Sequence, residues 1–221
     1  MRVQRARLGG LTLFEISEKK SSPKLLRISG LCGIFGSVLP SVLVLAATVL
    51  SSWFRWDTNA LSELGVGEQA TLFNSAMLIG GALNFLFALG LLHYFDKKKL
   101  IRAGIVSIMI SSFSLALVGI FTIDHHVLHG IAAFAYFVLA PAGFLLVGFG
   151  TKDRTIKNLS FVCGLAALLA ILVLPAVIFV LPVTVGFAVP ELVEGLIVAV
   201  WTVFMSTRLL RQQRLIVSSL L

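Results

Sequence analysis

The feature that most constrains this chain is the stretch from Ile28 to Ser52, which is apolar and carries no charge. A helix needs about 20 apolar residues to cross about 30 Å of hydrocarbon. This stretch is therefore read as a membrane span, and others follow it at Thr71–Tyr94, Ala103–Ile123 and Val127–Gly150. Only Asp124, His125 and His126 separate the third from the fourth, which requires a tight hairpin. From Leu159 to Trp201 the only charges are Glu191 and Glu194, and that stretch is too long for one span. Pro182, Gly186 and Pro190 put a break between about Leu181 and Glu191, with Pro190 suited to the first turn of a sixth helix. The connection is apolar and is expected to stay at membrane depth, where irregular backbone is tolerated only against protein or a water-filled cavity.

The expected architecture is all-α, an integral membrane bundle of about six transmembrane helices over 28–52, 71–94, 103–123, 127–150, 159–181 and 191–209. A basic tail, 1–27, precedes the membrane domain 28–209, and a tail, 210–221, follows it. A cleaved signal peptide would have a shorter apolar core nearer the start, so the first helix is read as retained. Composition agrees: 58% of residues are hydrophobic and 13% charged, with mean hydropathy +1.01, far from the roughly one-quarter charged make-up of soluble domains. Six spans use up the chain and leave no room for a separate soluble domain. Cys32 and Cys163 lie inside apolar segments, where a free thiol behaves as a small hydrophobe.

The net charge of +8 would suit nucleic acid only if the bases were gathered on one exposed face. They are instead divided by topology. The N-terminal tail, Lys97–Arg102, Lys152–Lys157 and Arg208–Arg214 hold 17 of the 18 Lys and Arg residues, and Arg55 alone falls on the opposite side. Positive loops stay cytoplasmic. The expectation is a multi-pass protein of the cell membrane with both termini cytoplasmic and no nucleic-acid partner. Ser107, Ser111 and Ser114, and Gly80 with Gly81, form small-residue faces suited to close helix packing.

With that orientation Asp57, Glu63, Glu68, Asp124, Glu191 and Glu194 fall in outer loops or outer helix ends, together with His125, His126 and His129. A six-helix bundle would bring these three connections within reach of one another. His125 and His129 are four apart, and His126 and His129 three apart, so either pair could share a helix face. Two such imidazoles with a carboxylate could ligate zinc and leave a position for water; the alternative is a polar cluster at the headgroup level. Asp124 could cap the fourth helix or orient a ligating histidine. Glu191 and Glu194 suit a helix N-terminus through the macrodipole, yet an ionisable group inside a membrane protein is a functional candidate by default. Ser62 is a candidate nucleophile without an evident activating partner. Arg55 is expected to pair with an acid or a lipid phosphate, and Asn84 to make an interhelical hydrogen bond.

The segment Asn59-Ala60-Leu61-Ser62-Glu63-Leu64-Gly65, then Phe73-Asn74 with Gly80-Gly81, the stretch from Phe121 to His129, and the pair Glu194-Gly195 occur in this order. In these features the chain resembles the prokaryotic membrane proteins grouped as domain of unknown function 998, over about residues 28 to 207. The resemblance implies a six-helix bundle and no established activity. A more distant similarity is to membrane hydrolases of the alkaline ceramidase type, from which this chain departs in having fewer helices and one short histidine cluster.

Three functions compete. One is a non-enzymatic accessory subunit of a membrane complex, or a lipid or quinone binder, whose outer groups, among them Asp57, Arg55 and Glu191, contact a partner or headgroup. The second is a metal-dependent hydrolase of a lipid-like substrate, with zinc on His125, His126 and His129. In it Ser62, Glu63, Asp124 and Glu194 would do the catalytic work. A transporter with Glu191, Glu194 and Asn84 along a path is the third, and the lack of an internal repeat counts against it.

Overall fold

The computed structural model describes residues 22–173 and 186–219; for Val173 it describes the backbone alone. Among the described residues, six helices are long and apolar enough to cross a membrane, the fifth of them over Arg154–Leu172. The α-helices are α1 (Pro23–Leu50), α2 (Ala70–Tyr94), α3 (Lys99–Ile120), α4 (His126–Gly150), α5 (Arg154–Leu168), which reaches spanning length only with the turn that follows it, and α6 (Ala188–Ser218). The turn after α5, Leu169–Val173, loosens to a π-helix. Pro182 and the rest of 174–185, where the sequence puts most of the break before the last span, lie outside the described residues, as does most of the basic tail.

Local chemistry sets several of these ends. Pro23 opens α1, where its missing N–H costs nothing. Asp153 caps α5 by accepting from the Thr155 and Ile156 amides at 2.9 and 3.0 Å. The expectation that Asp124 caps α4 is corrected: His125 occupies that position, and no side chain caps the helix. Both ends of α6 extend beyond the expected 191–209. Pro190 sits within its first turn, and Arg208, Arg211 and Arg214 continue the helix, as good helix formers allow.

The helices are inside-out relative to a soluble bundle. On α1 the exposed side chains Ile28, Phe35, Val42 and Val49 repeat every seven residues, while Gly30, Gly33, Gly36, Ser37 and Pro40 are buried. Lipid gives no hydrophobic drive between helices, so close backbone approach supplies the attraction. A Cβ on Gly143 of α4 would lie 2.7 Å from the Gly104 carbonyl of α3. The serine face of α3 adds directed bonds: Ser107 and Ser111 donate to the carbonyls of Leu139 and Tyr136 on α4, at 2.7 and 3.0 Å.

Each helix packs on its chain neighbour, and α6 returns to pack on α1, so the six close into a ring. Toward one end the ring is filled by Trp201, which stacks on Phe144 with centroids 4.2 Å apart and donates its indole N–H to Ser160 Oγ at 2.9 Å. The connections 95–98 and 151–153 are at that end, where Arg208 pairs with Asp153 at 3.6 Å and Lys98 Nζ donates to the Gly150 carbonyl at 3.2 Å. The other end carries the long connection 51–69, the turn 121–125 and the residues leading into α6. There the ring is not filled.

Candidate functional site

The site begins with the backbone of the 51–69 connection. After α1 the chain turns through Trp53, Phe54 and Trp56, whose rings meet edge to face at 6.0 and 5.4 Å. Arg55 and Asp57 pair at 2.8 Å on the outside, both exposed. Hydrogen bonding to the Arg55 guanidinium holds the Asp57 carboxyl below its ordinary range, and the same pair raises Arg55. The pair is solvated and separate from the interior groups.

Asn59 then acts as a node. Its Oδ1 accepts from the Arg55 amide at 2.9 Å, its Nδ2 donates to Glu63, and its carbonyl accepts from the Ala188 amide of α6 at 3.0 Å. Glu63 Oε1 accepts from the Ala60 amide at 2.8 Å, which closes the 3-10 turn Leu61–Gly65. Glu191 reaches across from α6 to accept the Leu61 amide at 2.6 Å. Gly65 is tied down by Asn74 Nδ2, which donates to its carbonyl at 2.9 Å. Gly186 lies flat on this loop: its N–H donates to the Trp56 carbonyl at 3.1 Å, and a Cβ there would run into the backbone of Asn59. The connection is thus pinned across the mouth of the ring by main-chain bonds to the start of α6.

Beneath it are two adjoining cavities. The inner one, about 120 Å³, lies among α1, α2, α3, α4 and α6, with walls that include Pro40, Val44, Phe73, Met77, Tyr136 and Leu196. The outer one, about 400 Å³, lies under Thr58, Ala60 and Glu63 and extends to Phe134, Leu172 and Phe187. Those last three side chains are exposed on the flank of the bundle. Ser62, His129, Ala133, Phe137 and Glu191 line both cavities, so a serine, an imidazole and a carboxylate stand where the two meet. A third, smaller cavity continues inward and shares Asn84, Leu115, Tyr136 and Val198 with the inner one.

His129 is 8% exposed, and its Nδ1 lies 2.8 Å from the Phe121 carbonyl. A carbonyl only accepts, so Nδ1 carries the proton of this bond. In the neutral ring Nε2 is then an acceptor. Asn84 has a similarly definite cause. Pro40 cannot donate to the Gly36 carbonyl one turn back, and Asn84 Nδ2 takes that carbonyl at 3.0 Å from α2, the interhelical bond its position suggested.

The other sequence candidates fall elsewhere. His125 and His126 are exposed beyond the turn, as is Asp124, while His129 is turned into the bundle. Among the described residues no group of three or more His, Cys, Asp and Glu side chains stands as a metal site. Glu68 is exposed. Glu194 lies one turn further along α6 from Glu191, is 0% exposed, and neither of its oxygens has a hydrogen-bond partner among the described residues.

Gly195 was legible only as part of a short motif. A Cβ on most glycines of the bundle would meet a neighbouring helix; on Gly195, which lines the inner cavity, it would meet nothing within 4 Å. The glycine leaves the cavity open. Tyr136, Phe137 and Ala133 were also missed, because on α4 they look like any apolar helix face and only the ring closure turns them inward.

The family model described as protein of unknown function (DUF998) matches residues 34–208. The chain belongs to the DUF998 family. The match spans all of the cavity-lining residues named above, from Pro40 to Leu196. No curated protein matches the chain, and no solved structure does. Membership together with six apolar helices makes this a multi-pass membrane protein.

Proposed function

We propose that this DUF998 protein binds a single-chain or lipid-like amphiphile. Its polar end sits against Ser62, His129 and Glu191, and its apolar part lies along the inner cavity. The observation that carries this reading is the wall shared by the two cavities, which combines three polar side chains with otherwise apolar surroundings. Pockets that are mostly apolar with a few convergent polar groups are the usual form of a small-molecule site. Support for entry from the bilayer comes from Phe134, Leu172 and Phe187, lipid-flank residues that also line the outer cavity.

The proposal includes residence in the cell membrane with both termini cytoplasmic. The division of 17 basic residues against Arg55 supports that orientation, and it puts the cavity mouth on the outer side.

Gly195 gives the direct test. A Cβ there meets nothing within 4 Å, so leucine at this cavity wall is expected to fill part of the inner cavity without displacing a neighbouring helix. Native mass spectrometry of wild-type protein released from a non-ionic detergent should reveal a retained amphiphile mass. The Gly195→Leu variant should lose that mass while unfolding at the same temperature or higher. Equal retention by both proteins would refute binding in this cavity.

A further inference from the structure

We infer that the amphiphile has a cationic head, an alkylammonium group held by Glu191 with Glu194 as the deeper counter-charge. The inference rests on the amphiphile-binding reading and names its ligand class.

Three observations converge on it. First, the ionisable residues lining the two larger cavities are Glu63, Glu191, His129 and Tyr136, and neither cavity has a Lys or Arg in its described lining. An anionic head would meet these carboxylates with no Lys or Arg to offset them. Second, each of the polar groups not already committed where the two cavities meet can accept a hydrogen bond. One Glu191 oxygen takes the Leu61 amide, and the other has no partner among the described residues. In the neutral His129 ring Nε2 accepts, and the Ser62 hydroxyl has oxygen lone pairs to offer. Glu63 is different, because both of its oxygens are spent on Asn59 and Ala60.

Third, Glu194 is buried without a partner. Among the described residues, five buried side-chain polar atoms lack a hydrogen bond, and two of them are its carboxylate oxygens. An isolated charge in a low-dielectric interior is strongly disfavoured unless it is compensated or takes up a proton. On α6 Glu194 stands between Glu191 and Gly195, both of which line the inner cavity. Glu194 itself does not line the cavity, so it would act on a cation there from behind the wall, and the faces of Tyr136 and Phe137 would favour the cation further.

The probes are dodecylammonium, dodecanol and dodecanoate, offered near neutral pH to the full-length protein in a non-ionic maltoside detergent, with binding read by native mass spectrometry. Dodecylammonium should bind about tenfold or more tighter than dodecanol, and dodecanoate most weakly. Glu191→Gln keeps an acceptor for the Leu61 amide and should bring the ammonium down to the level of the alcohol. Glu194→Gln should reduce the same preference, and Gly195→Leu should abolish binding of both. If alcohol or carboxylate binds as tightly as ammonium while Gly195→Leu still blocks them, the cationic class is overturned and the amphiphile site stands. If an ammonium preference persists undiminished in Glu191→Gln, the assignment to these carboxylates is overturned. Retention of none of the three overturns it as well.

Discussion

At the scale of single residues, much of the segment 59–65 has a definite physical task. Asn59 and Glu63 tie the loop to itself, Leu61 ties it to α6 through Glu191, Leu64 is fully buried, and Gly65 sits against Asn74. Ser62 is left over, facing both cavities. Gly186 is the other half of this arrangement, since the Asn59 backbone occupies the space of any side chain there. Gly186→Ala should therefore destabilise the protein by about 1–3 kcal/mol, the usual range for overpacking. The drop should appear in thermal unfolding of the detergent-solubilised protein; an unchanged midpoint would mean the loop is not pinned to α6. The sequence displays Ser62 and Glu63 as polar residues of an outer loop, and Glu191 and His129 as polar residues at helix ends. It could not separate His129 from His125 and His126, because three neighbouring histidines differ only in which way the first turn of α4 faces. That is set by how α4 packs in the ring and by the bond from His129 Nδ1 to the Phe121 carbonyl, neither of which the sequence displays.

Whole elements were the most legible part, because the hydrocarbon thickness dictates their length independently of tertiary contacts. The span from Thr71 to Tyr94 was expected and α2 covers 70–94; α4 covers 126–150 against the expected 127–150. What periodicity could not supply was which face of each helix turns inward. In a membrane both faces are apolar, and the inward side is marked by small residues and scattered hydroxyls instead. The pairing of α5 with α6 illustrates this, since it includes a hydrogen bond between Trp201 and Ser160, two residues with no sequence relation. Ser160→Ala leaves the buried indole N–H without an acceptor and should cost about 1–3 kcal/mol. Trp201→Phe removes the donor as well. Its loss on thermal unfolding should therefore come from lost ring area and not from an unpaired N–H. If Ser160→Ala is neutral, this bond does not hold the two helices.

At the scale of the whole molecule, the closing of the ring by α6 on α1 produces the cavities, and no local signal announces it. The orientation in the bilayer is the reverse case: it is set by counts of Lys and Arg and needs no contact at all. Both described cysteines lie within helices, so introduced cysteines can report each end. In intact cells of a Cys32→Ala, Cys163→Ala background, Thr58→Cys should react with a membrane-impermeant maleimide, whereas Ser219→Cys should react only after lysis; the opposite pattern would invert the orientation. The central claim, that an amphiphile occupies the space beneath the 51–69 connection, is tested most directly by photo-crosslinking. A dodecyl amphiphile carrying a diazirine in its tail should label the cavity walls at Met77, Tyr136 and Phe137. Labelling confined to lipid-facing side chains such as Val49 and Phe113, with none on the cavity walls, would contradict the account.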